Sequence, residues 1–98
     1  MTPTEQRIVL AKIEGWTQVY PDLDGSTEMT LPDKSGTKIV PDYLNDLNAC
    51  ARIEEKLNLD MAMIYDKYLA EITETFTWRA TAAQLCEALL RTFEKWKD

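Results

Sequence analysis

Apolar residues recur at helical spacing over four stretches of the chain. Ile8, Leu10, Ala11 and Ile13 give a short apolar side between two capping signals. Thr2-Pro3-Thr4-Glu5 is a capping box with proline at the first helical position, and Gly15 suits a left-handed stop. A helix over about 3–14 follows, with Trp16 folding back on its last turn. Tyr43, Leu47, Cys50, Ile53 and Leu57 line one side of a second helix that Asp42 can cap. Asn58 can cap a third, where Met61, Ile64, Tyr65, Tyr68, Leu69 and Ile72 keep one face apolar. So little chain separates the second and third helices that an antiparallel hairpin is expected. Thr81-Ala82-Ala83-Gln84 is another capping box. It opens a last helix that runs to about Trp96, with Leu85, Leu89, Phe93 and Trp96 on one side. Arg91, Lys95 and Lys97 sit where positive charge suits a helix end.

Period-two alternation marks short strands instead. It appears at Trp16–Tyr20, near Glu28–Leu31 and at Ile72–Trp78. The first two can pair across an Asp24-Gly25 turn. The stretch 21–41 is otherwise rich in Pro, Gly, Asp, Ser and Thr, and it reads as an irregular loop suited either to binding or to simple connection. The expected fold is α+β, with about four helices packed against a small two- or three-stranded antiparallel sheet. Its 98 residues suit a single domain, 1–98. A chain of this size hides about two thirds of its unfolded surface, enough for a modest core.

Charge narrows the partners. Seventeen acidic against eleven basic residues leave a net charge of −6. Long-range attraction to nucleic acid or an anionic membrane is disfavoured, so direct binding to either is not expected. The excess suits a basic partner, or simple solubility. No apolar stretch is long enough to cross a bilayer. The first residues, Met1–Glu5, lack the basic start and apolar run of a signal peptide, so a cytoplasmic location is the expectation.

Chemistry is mostly excluded. There is no histidine, which removes the commonest general base and metal ligand together. Asp22-Leu23-Asp24-Gly25-Ser26 is similar to part of a calcium loop. Tyr20 and Leu31 would occupy its first and twelfth positions, and neither is a ligand. Lys34-Ser35-Gly36-Thr37-Lys38 lacks the order of a phosphate loop, and three glycines cannot supply a dinucleotide fingerprint. Glu54-Glu55 and the pair Glu71 and Glu74 read as exposed helix charges. Cys50 and Cys86 fall on or beside apolar faces and read as buried free thiols. A bridge between them would need an oxidising setting and close backbones. No enzyme, metal or cofactor is expected.

Val40-Pro41-Asp42-Tyr43-Leu44-Asn45-Asp46-Leu47-Asn48-Ala49 forms one distinctive segment. Ala80-Thr81-Ala82-Ala83-Gln84, continued by Cys86-Glu87-Ala88-Leu89-Leu90-Arg91-Thr92, forms another. Together with Gly15-Trp16 they resemble a group of small bacteriophage and prophage proteins of uncharacterised function. That group is related in layout to the phage ABA-sandwich proteins, in which helices flank a small sheet. The resemblance covers about two thirds of the chain and leaves out 21–38. It implies a phage or prophage origin and action inside a bacterial cell, and it supplies no catalytic residues. Both segments also read simply as helix-start devices.

The resulting expectation is a non-enzymatic phage accessory protein that binds a host or phage protein. Blocking a nucleic-acid-binding defence component is one form of it. Asp22, Asp24, Glu28, Asp33, Glu54 and Glu55 would carry the contact. Trp16, Tyr20, Tyr43 and Trp78 are the aromatic contact candidates, although each also suits the edge of a small core. The alternative is a protein that binds or sequesters a nucleotide-like ligand through the 21–41 loop. A homodimer through an aromatic-bearing helix face fits either reading.

Overall fold

A computed structural model describes residues 1–18, 28–74 and 80–97. The first helix, α1 (Pro3–Glu14), has the predicted bounds. Glu5 donates its N–H to the Thr2 hydroxyl at 3.1 Å, and the Glu5 carboxylate accepts from the Thr2 N–H at 3.4 Å. This reciprocal pairing satisfies amides that the first helical turn leaves unpaired. Gly15 adopts φ +109°. Its left-handed turn lets the Trp16 and Gly15 N–H groups donate to the carbonyls of Ala11 and Lys12. Trp16 is thereby folded into the core.

Three antiparallel strands follow in the order β1 (Thr17–Gln18), β2 (Glu28–Thr30) and β3 (Thr37–Ile39). Thr17 faces Thr30 across the first pair, and Met29 faces Lys38 across the second. The segment 31–36 closes the β2–β3 hairpin. Within it Asp33 accepts from the Ser35 N–H at 2.9 Å, and Lys34 takes φ +61°. Part of the expected irregular loop 21–41 is therefore a hairpin. The third strand of this sheet lies at 37–39, and the start of the strand expected at Ile72–Trp78 is helical. Ile72 and Thr73 continue a helix, and 75–79 lie outside the described residues. Ile72 packs against the core as part of a helical face, which outweighs local β-branching.

The second helix also starts later than expected. Tyr43–Asn45 form a single 3-10 turn, and α2 spans Leu47–Glu54. Asp46 caps it, accepting from the N–H groups of Asn48 and Ala49 at 3.0 and 3.3 Å. Asp42 binds the Asn45 side chain instead. The cause is tertiary: Tyr43 is fully buried, and its hydroxyl donates to Glu14 on α1. The shifted start leaves Leu47 exposed.

Asn58 caps α3 (Leu59–Thr73), its side-chain oxygen accepting from the Met61 N–H at 2.8 Å. Thr81 and Gln84 form the second capping box, which opens α4 (Ala82–Thr92). The last helix stops short of Trp96. Glu94 turns left-handed, and the Glu94 and Lys95 N–H groups donate to the carbonyls of Arg91 and Leu90.

The expected hairpin of the second and third helices gives way to packing of α3 on α4. The side of α4 bearing Cys86, Leu89 and Leu90 is fully buried and is the widest apolar surface available. α1, α2 and the 43–45 turn also pack on α4, which makes it the hub of the fold. Leu10, Tyr43, Ile53, Leu89 and Leu90 fill the space between them. From the hairpin, Met29 is the one fully buried strand side chain among the described residues. Arg7 clamps the chain just after it, donating to the carbonyls of Val40 and Pro41 at 2.7 and 3.3 Å.

Candidate functional site

The acidic side chains expected to form a contact surface fall on separate elements. Glu28 opens β2 and accepts from the Thr37 hydroxyl at 3.3 Å. Asp33 is exposed on the hairpin turn, where hydrogen bonds from Ser35 hold its carboxyl below the usual range. Glu54 and Glu55 lie at the far end of α2. That helix packs on α1, α4 and the 43–45 turn rather than on the hairpin. Asp22 and Asp24 lie outside the described residues, as do Tyr20 and Trp78.

Burial removes two of the aromatic candidates from any contact surface. Trp16 is core, and Tyr43 is completely enclosed. Tyr43, Glu14 and Arg52 form one linked set, since Arg52 donates to the other Glu14 oxygen at 3.0 Å. Tyr65 repeats the pattern, donating to Glu54 at 2.8 Å. Burial, then the hydrogen bond to a carboxylate, pushes both phenols far above their ordinary range. Both are structural ties between helices, and neither faces a cleft.

The surface that gathers chemistry lies elsewhere, where α3 and α4 run side by side. Tyr68, Glu71, Ile72 and Glu74 from α3 and its end face Glu87 and Arg91 from α4, around a groove of about 410 Å³. A second hollow of about 300 Å³ adjoins it, sharing Tyr68 and Arg91 and adding Glu94 and Trp96. The helical periods explain the assembly. Tyr68 and Ile72 are four apart, as are Glu87 and Arg91, so each pair projects from one side of its helix. The left-handed turn at Glu94 then folds Trp96 back toward Arg91. The Arg91 guanidinium lies 5.2 Å from the centre of the Trp96 ring and donates to Glu87 at 2.9 Å. The groove thus combines four carboxylates, one guanidinium and two aromatic rings.

Such a lining can hold a cation by charge and by ring faces. It lacks a nucleophile with a neighbouring base. Among the described residues, no group of three or more His, Cys, Asp and Glu side chains could hold a metal ion. None of their helices is long and apolar enough to cross a membrane. A separate recess of about 450 Å³ is lined by Val9, Lys12, Ile13 and Lys95.

Sequence reading placed Tyr68 and Trp96 on apolar faces and Glu71 and Glu74 among exposed charges. It missed their convergence because the groove forms only when α3 meets α4. The available signal was an aromatic on each apolar stripe with a glutamate within one helical turn, Tyr68 with Glu71 and Trp96 with Glu94.

No family model, curated protein or solved structure matches this chain.

Proposed function

We propose that this chain is a non-enzymatic binding protein that grips a basic segment of a macromolecule in the α3–α4 groove. The observation that carries the reading is internal to the groove. Arg91 already rests on Trp96 while bonded to Glu87. That pairing is a template for how an incoming arginine or lysine is held. Beside it, Tyr68 offers a ring, and Glu71, Glu74 and Glu94 offer carboxylates. The net charge of −6 adds long-range attraction to a basic surface.

The resemblance to phage and prophage proteins gives the proposal a setting. The target would be a host or phage protein in a bacterial cell, such as a defence component whose nucleic-acid channel is basic. That setting rests on Gly15-Trp16 and the two segments within 40–49 and 80–92.

The test is capture from a bacterial lysate on immobilised chain, followed by salt elution and mass spectrometry. A Glu71→Lys, Glu74→Lys double variant runs in parallel. The proposal expects basic proteins on the native chain, released by moderate salt and absent from the variant. Equal retention by both, or retention indifferent to salt, contradicts it.

The recess at Lys12 and Lys95 favours a second reading, a small ligand with an apolar body and an anionic group. A thermal-shift screen of nucleotides would detect that class. No shift across the screen removes it.

A further inference from the structure

We propose that Cys50 and Cys86 form a reversible disulfide site that locks α2 onto α4. Their sulfurs lie 3.6 Å apart, and both residues are fully buried. Cys50 occupies the middle of α2, and Cys86 the first half of α4. The Cys50 thiol donates to the Tyr43 carbonyl at 3.1 Å. The Ala82 carbonyl lies 3.8 Å from the same sulfur, and either thiol can donate across the contact between the sulfurs. Bridging requires the sulfurs to approach by about 1.5 Å, within reach of small side-chain rotations.

The surroundings separate this site from a catalytic thiol pair. Catalytic cysteines lie in exposed, electropositive positions that favour the thiolate. Here both sulfurs are buried, and the hydrogen bond between them, with burial, holds the Cys86 thiol far above its ordinary value while the same bond lowers that of Cys50. No histidine exists in the chain to activate either sulfur. Such a pair does not turn over. Once bridged, it stays bridged until a reductant reaches it, and it ties together segments 36 residues apart. Closing a loop of that length restricts the unfolded chain and raises the stability of the fold. The device concerns the scaffold and does not depend on what the α3–α4 groove binds.

Hydrogen peroxide is an oxidant small enough for the site. One sulfur attacks a peroxide oxygen, the O–O bond breaks, and a sulfenic acid and one water result. The second sulfur displaces the sulfenic hydroxyl, which leaves as another water, and the S–S bond forms. The two thiols lose two protons and two electrons, and the peroxide is reduced to two waters. A dithiol reductant reverses the change by two exchange steps and is itself oxidised to a cyclic disulfide.

The test treats the native chain with hydrogen peroxide and counts thiols after denaturation. Peptide mapping locates any bridge, and thermal melts are recorded before and after dithiothreitol. The proposal expects both thiols to vanish together into one intramolecular Cys50–Cys86 linkage. It expects Tm to rise by about 10 °C and to return on reduction. Cys86→Ala should show no such rise. Retention of both thiols, linkage only between molecules, or a bridge that lowers Tm overturns the proposal. The mapping uses the native chain, so it stays decisive even if Cys86→Ala fails to fold.

Discussion

The helices and the hairpin of this chain are held in different ways. α4 is enclosed by α1, α2, α3 and the 43–45 turn, and Cys86, Ala88, Leu89 and Leu90 on it are fully buried. The hairpin of β2 and β3 is nearly the reverse. Thr37, Lys38 and Ile39 are all exposed; Met29 is fully buried, and Leu31 packs on the core only in part. Burial of apolar surface is the dominant favourable contribution to folding. The helical layer therefore carries the stability, and the hairpin is an attachment held by Met29, by Leu31 in part, and by Val40 and the Arg7 clamp at its end. The proposed binding groove falls on the helical side of this contrast.

The largest effect should come from the hub. Leu89→Ala would leave a cavity under four packed elements and cost about 3 kcal/mol, read by urea denaturation. A cost below about 1 kcal/mol would mean that α4 is not the centre of the fold.

Met29→Ala should cost about 2 kcal/mol. Its sharper consequence is local. Amide exchange over 28–39 should accelerate well beyond that of α4, because the one fully buried side chain of the hairpin strands is gone. Uniform acceleration across both regions would erase the distinction drawn between them.

Alkaline pH gives the third test, and its sign is set by the two buried phenols. Tyr43 and Tyr65 titrate far above their unfolded value of about 10. Above that pH the unfolded chain has lost phenolic protons that the folded chain retains. Their contribution is therefore complete below about pH 10 and declines as pH rises further. The slope is about 1.4 kcal/mol per pH unit for each group. Tyr65→Phe should remove one such slope. An unchanged slope in that variant would show that the Tyr65–Glu54 tie is absent in solution.

Thr81→Ala is the smallest of these perturbations. Loss of the capping hydroxyl should cost about 1 kcal/mol at the start of α4. A much larger loss would assign the helix start a tertiary role that its exposure argues against.

The same division governed what was legible in the sequence. Thr2 with Glu5, Gly15, Asn58, and Thr81 with Gln84 act through neighbours three or four residues away, and each does what its local pattern predicts. The pairing of β1 with β2 was also legible, because Met29 buries one side of a short alternation. β3 left no alternation to read, since all three of its residues face solvent. Asp42 lost the cap to Asp46 because Tyr43 is drawn into a core built from distant helices. Ile72 and Thr73 look β-branched locally, but they extend a face that α4 covers.

The candidate site was less legible than the fold. Acidity was visible, but its location was not. Glu28, Asp33, Glu54 and Glu55 are spread over two elements, and Trp16 and Tyr43 are internal. Tyr68, Arg91 and Trp96 come together only through the α3–α4 packing and the turn at Glu94.

The central claim is that binding belongs to this groove and not to the hairpin. Backbone amide shifts of the labelled chain, followed by NMR during titration with a short arginine-rich peptide, test it most directly. The account predicts shifts concentrated at 68–74 and 87–96, reduced as salt is raised and abolished in the Glu71→Lys, Glu74→Lys variant. Shifts confined to 28–39, or no shifts at low salt, would contradict it.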